Sequence, residues 1–123
     1  MEMINLLEEH PKTATVLKQW LLERLLESMK DSSVPEEFKE LAREQGIDND
    51  RVAGILGNTP RALFDIFDDH KIYVETLHET TGFWWKIKDS KDYIRLASDP
   101  YPIRKESDTE AIIEAFKLLE EKL

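Results

Sequence analysis

The side chains best suited to chemistry lie in one short stretch, Phe83-Trp84-Trp85-Lys86-Ile87-Lys88. Alternate residues of an extended chain share a face. Trp84, Lys86 and Lys88 therefore fall on one side, and Phe83, Trp85 and Ile87 on the other. An aromatic plane flanked by cations suits a nucleotide, because the base stacks and the ammonium groups meet phosphate. Tyr93 and Arg95, on the next strand, are expected to share the Trp84 face. Arg104-Lys105 stands just before a final helix, whose free N–H groups favour an anion. The same residues are also compatible with a solvated sheet face, or with an outward Trp packed on another subunit.

Enzyme constellations are missing from the pattern. His10, His78 and His70 fall in no metal-ligand spacing, and there is no G-x-S-x-G. Only four glycines are present, and none forms a phosphate loop. Acid pairs such as Glu8-Glu9, Glu36-Glu37 and Asp68-Asp69 are sequence neighbours, so on a helix they point about 100° apart and share no site. With no cysteine, there is no thiol nucleophile, disulfide or thiolate metal site. The expectation is a protein without catalysis, metal or cofactor.

Charge narrows the ligand. The 123 residues carry a net charge of -9, which argues against an extended nucleic acid. The acidity is uneven: residues 1–69 hold 15 acids against 8 bases, whereas residues 82–105 hold six bases against three acids. The helical pair around Gly57-Asn58-Thr59-Pro60 could be read as a helix-turn-helix, but Asp65, Asp68 and Asp69 on its second helix would repel phosphate. No run is long enough to span a membrane, and Met1-Glu2-Met3-Ile4-Asn5 has no basic leader, so a cytoplasmic location is expected.

These residues need elements to position them. Pro11 opens a long helix whose apolar stripe (Val16, Leu17, Trp20, Leu21, Leu22, Leu25, Leu26 and Met29) is wider than one core face requires, hinting at burial on two sides. Ser33-Val34-Pro35-Glu36 reads as a capping box opening a second helix with Phe38, Leu41 and Ala42. Asp48 or Asn49 caps a third, and Thr59-Pro60 opens a fourth. After His70 the apolar period falls to two, giving strands over 72–77, 83–88 and 93–97. Ser107-Asp108-Thr109-Glu110 reads as the capping box of a last helix. The fold class is α+β, a single domain over 1–123: four N-terminal helices in 1–69, then a small antiparallel three-stranded sheet covered by a C-terminal helix in 70–123.

The chain resembles the Thoeris anti-defence 1 family, small phage-encoded proteins that act as sponges for nucleotide immune signals. The resemblance rests on His10-Pro11-Lys12-Thr13-Ala14-Thr15-Val16, Val34-Pro35-Glu36-Glu37-Phe38, Gly46-Ile47-Asp48-Asn49-Asp50-Arg51, Pro60-Arg61-Ala62-Leu63-Phe64-Asp65, and Arg104-Lys105-Glu106 leading to Ala115-Phe116-Lys117-Leu118-Leu119-Glu120. It implies a non-enzymatic binder of glycocyclic ADP-ribose signals and, for some members, cyclic oligonucleotides. It also implies a dimer or higher homo-oligomer in the host cytoplasm, with ligand at subunit interfaces.

The ligand-binding set expected on these grounds is Phe83, Trp84, Lys86, Asp92, Arg95, Arg104 and Lys105, with Arg24 as a candidate second site. The ring would stack on Trp84 or Phe83, and Arg95, Arg104 and Lys105 would hold phosphate. The rival is an acidic protein–protein inhibitor or DNA mimic whose helical half covers a basic surface of a defence protein.

Overall fold

Apolar spacing changes after His70, and the chain turns from helices to a sheet at that point. A computed structural model describes residues 2–28, 35–58, 60–89 and 94–123. Among them, five helices precede the sheet: α1 (Met3–Glu9), α2 (Pro11–Ser28), α3 (Glu36–Gln45), α4 (Asn49–Asn58) and α5 (Pro60–Asp69). Strands β1 (Ile72–Glu79), β2 (Gly82–Asp89) and β3 (Ile94–Leu96) follow, and α6 (Arg104–Lys122) packs over them. The α+β class holds, but the expected four N-terminal helices are five.

The extra helix is α1. Seven residues are too few to display a 3.6 period, and only Leu6 and Leu7 of it are buried. Pro11 has no N–H to continue that helix. The backbone N–H and the Nδ1 of His10 instead both reach the Leu6 carbonyl, at 3.0 and 2.8 Å, and α2 begins afresh. Asp48 caps α4 as expected, its Oδ1 accepting from Arg51 N at 2.8 Å. The expected Ser33 cap, together with Met29, Thr59, Asp92 and Tyr93, lies outside the described residues.

The sheet is an antiparallel meander in the order β1-β2-β3. Its register pairs Val74 with Ile87 and Ile87 with Arg95, and on the other face Glu75 with Lys86 and Lys86 with Leu96. Directly paired residues share a face. The inner face therefore carries Ile72, Val74, Trp85, Ile87 and Arg95, and α6 covers it. Tyr73, Leu77, Trp84, Lys86 and Leu96 form the outer face.

One buried cluster joins helices and sheet. Phe67 of α5 meets Phe116 of α6 edge-on at 5.8 Å, and the His10 ring meets Phe116 at 5.7 Å. Ala14, Leu17 and Leu21 bury one side of α2. Trp20, Leu22 and Leu26 stay half-buried, the surplus of its wide stripe. Glu120, near the end of α6, accepts from Thr13 N at 2.8 Å and Lys12 N at 3.3 Å, so it caps α2 from across the molecule.

Candidate ligand-binding site

The start of α6 is set by a contact that is remote in sequence. Phe83 N donates to the Tyr101 carbonyl and Tyr101 N to the Phe83 carbonyl, both at 2.8 Å. This bridge needs Gly82, whose φ is +135°, a region open to glycine. A Cβ there would stand 2.7 Å from the Tyr101 carbonyl oxygen and 3.2 Å from the Pro100 Cβ. The connector therefore closes against the hairpin, and Ile103 becomes the extended residue from which α6 starts.

That placement corrects two expectations. The Ser107–Glu110 capping box is not used, because the helix begins earlier, at Arg104. Ser107 lies inside it, fully buried, with an Oγ that has no hydrogen-bond partner. Arg104 and Lys105 accordingly belong to the first turn of α6 rather than to the approach to it.

The Arg104 guanidinium sits over the Phe83 ring, 5.3 Å from its centroid. His78, paired with Phe83 across the hairpin, stacks on the same ring at 4.6 Å and 28°. Phe83 thus supports a cation rather than offering an open stacking plane, contrary to the expected role. Beside Arg104 opens a cleft of about 500 Å³. Leu6, Leu56, Leu63 and Ile112, each no more than 9% exposed, lie along it. Met3 completes its apolar wall, and Arg104, Lys105, Asp108 and Thr109 give its polar edge. Burial pushes the Asp108 carboxyl above its ordinary range, against the pull of the Arg104 charge. Its Oδ1 is enclosed and has no hydrogen-bond partner.

A second cleft, of about 450 Å³, lies against Tyr101, Ile103, Glu106 and Glu110 and shares Lys105 and Thr109 with the first. Of these two clefts, the first pairs an apolar floor with two adjacent cations, Arg104 and Lys105, which a ring bearing phosphate requires.

The expected site residues divide into separate groups. Phe83, Arg104 and Lys105 come together at the start of α6. Trp84 and Lys86 stand on the outer face, away from them; the Trp84 Nε1 donates to Thr81 Oγ1 at 3.2 Å, and Lys86 lies opposite Glu75. Arg95 does not share their face. Its register with Ile87 turns it towards α6, where it pairs with Glu114 at 3.0 Å and Glu121 at 3.7 Å. Glu114 is ten residues beyond Arg104, about 15 Å along the helix. Asp92 lies outside the described residues. Arg24, on α2, stacks over Trp20 at 4.3 Å and lines neither cleft.

Sequence reading missed the apolar wall of the first cleft and the Tyr101-Ile103 side of the second. Leu56 and Leu63 read as generic core positions, and only tertiary packing turns them towards the start of α6. Pro100-Tyr101-Pro102, a rigid connector holding an aromatic residue, was the one local signal for the second cleft. Among the described residues, no helix is long and apolar enough to cross a membrane. Comparison with family models, curated proteins and solved structures finds no match for the chain.

Proposed function

We propose that this chain is a non-catalytic binding protein that takes up a small cyclic nucleotide signal of the cyclic ADP-ribose kind and so silences the antiphage defence that depends on it. One observation carries the reading: the cleft at the start of α6 sets an apolar wall against two adjacent cations, with Arg104 seated on Phe83. The resemblance to the Thoeris anti-defence 1 family supplies the class of ligand. The base or ribose packs on Met3 and Ile112, with Leu6, Leu56 and Leu63 buried behind them, and phosphate meets Arg104 and Lys105. Sequestration needs tight binding and no turnover. Depleting a micromolar signal takes roughly -9 kcal/mol or stronger, within reach of a buried ring plus charge-assisted contacts. The half-buried Trp20, Leu22 and Leu26 on α2 support a homo-oligomer, and the family resemblance implies the host cytoplasm as its location.

Calorimetric titration with cyclic ADP-ribose tests this. Submicromolar binding is expected, with the ligand recovered intact after the protein is heat-denatured. Arg104→Ala should bind at least about tenfold more weakly, the loss of one charge-assisted contact, with the melting temperature lowered by no more than a few degrees, the cost of losing the contact with Phe83. Absence of binding to any cyclic nucleotide would sink the reading.

A second reading rests on the end of α5, where Asp65, Asp68 and Asp69 crowd together. Burial first, and then those two neighbours, raise the Asp68 carboxyl above its ordinary range. Such an acidic surface suits an inhibitor that docks on a basic defence protein or mimics DNA. Its mark would be a host protein retained at low salt and released at high salt, with no nucleotide bound.

A further inference from the structure

The two clefts are flanks of one ridge. Lys105 and Thr109 lie one turn apart on α6 and belong to both clefts, and the Thr109 hydroxyl donates to the Lys105 carbonyl at 2.7 Å. Around the helix axis, Arg104, Asp108 and Ile112 point to one side of that ridge and Glu106 and Glu110 to the other, as a step of about 100° per residue dictates. Both clefts are of a size that takes a nucleoside, about 500 and 450 Å³.

Their chemistry differs. The first joins an apolar wall to two cations, Arg104 and Lys105, against the carboxyl of Asp108. The second offers Tyr101, the 55% exposed side chain of Ile103, and two carboxylates. Glu106 and Glu110 accept hydrogen bonds from amino and hydroxyl groups but repel phosphate. A phosphate is thus held at Lys105 on the ridge and at Arg104 on the first cleft's side of it, while the second cleft favours a neutral, donor-rich ring or sugar.

We propose that the two clefts form a single two-lobed site for a ligand with two nucleoside ends joined through a phosphate bridge. The bridge crosses the ridge at Lys105, one end packs on Met3 and Ile112, and the other lies between Tyr101 and Ile103 with its donors on Glu106 and Glu110. This rests on the nucleotide-binding reading above and deepens it by setting the size and polarity of the ligand.

The test compares adenosine 5′-monophosphate with diadenosine diphosphate, both titrated into the full chain. The wild type is expected to bind the two-ended probe at least about tenfold more tightly, the order of gain from packing a second base. Ile103→Ser combined with Glu110→Gln removes the apolar wall and one acceptor of the second cleft. Serine is a good residue at a helix start, so α6 is retained, as circular dichroism would verify. That variant should lose the advantage of the two-ended probe and keep its affinity for the monophosphate. Equal affinity of the wild type for both probes overturns the two-lobed site while leaving a nucleotide site standing. An equal loss for both probes in the variant also overturns it. No binding of either probe also overturns the two-lobed site, and the titration with cyclic ADP-ribose then decides the nucleotide reading separately.

Discussion

Replacing Gly82 with alanine should unseat the start of α6, although the residue lies 22 positions before it in sequence. Two effects add. A side chain at a φ of +135° strains the backbone by about 1–3 kcal/mol. Its Cβ would press on the Tyr101 carbonyl oxygen from 2.7 Å, and this oxygen accepts from Phe83 N. Yielding there loosens two backbone hydrogen bonds, about 1 kcal/mol each. Alanine also restricts the unfolded chain, which returns about 0.4–1 kcal/mol. A net loss of about 3 kcal/mol follows, a fall of about 10–15 °C in Tm for a chain of this size. Urea and thermal unfolding followed by circular dichroism measure it. The control is Gly54→Ala in the middle of α4, where an added Cβ meets nothing within 4 Å. Helix propensity there favours alanine by about 0.5–1 kcal/mol. The same chemical change should therefore destabilise at one site and stabilise at the other. A Gly82→Ala protein as stable as the wild type would refute the account of how α6 is positioned, and so would equal destabilisation by the two substitutions.

Glu120 gives a pH-dependent outcome. Burial alone would raise its carboxyl, but the hydrogen bonds from Thr13 and Lys12, with the charge of His10 adding to them, hold it below its ordinary 4.5. A lowered folded pKa means that its stabilisation is fully present above the ordinary value and lost as pH falls through the lowered one. Glu120→Gln should cost about 1 kcal/mol near neutral pH, and the gap to wild type should close in acid; a gap constant from pH 7 to 2 would show that the charge plays no part. Arg95→Ala should cost about 1 kcal/mol of stability by breaking the pairs with Glu114 and Glu121, yet leave affinity for cyclic ADP-ribose within about twofold. A tenfold loss in the calorimeter would put Arg95 back in the site.

The separation of Arg95 from Arg104 shows what pattern can and cannot carry. Alternation along β3 correctly placed Arg95 opposite to Leu96 in facing, since that follows from pleating within one strand. Which of those two faces meets Trp84 depends on register with β2, and a shift of one residue reverses the answer. The pairing of Ile87 with Arg95 settled it, and the residue changed from a ligand candidate to an anchor for α6. Phe83 and Arg104 needed the opposite kind of information. They are 21 positions apart, and their contact exists because Tyr101 pairs with Phe83.

The sequence by itself determined the elements that repeat with a period. These were the amphipathic α2, the change at His70, the three strands to within two residues, and the helix that covers them. It also placed the excess of bases in 82–105, because charge is counted and not folded. Local signals have local reach, so α1 was too short to register, and a good capping box at Ser107 lost to a start fixed elsewhere. Tertiary structure alone decided where α6 begins, which cations stand together, and that Leu6, Leu56 and Leu63 wall a cleft beside them. The physical reason is that a cleft is made where elements fail to meet, and that gap is a property of how faces from distant segments pack, recorded in no one of them.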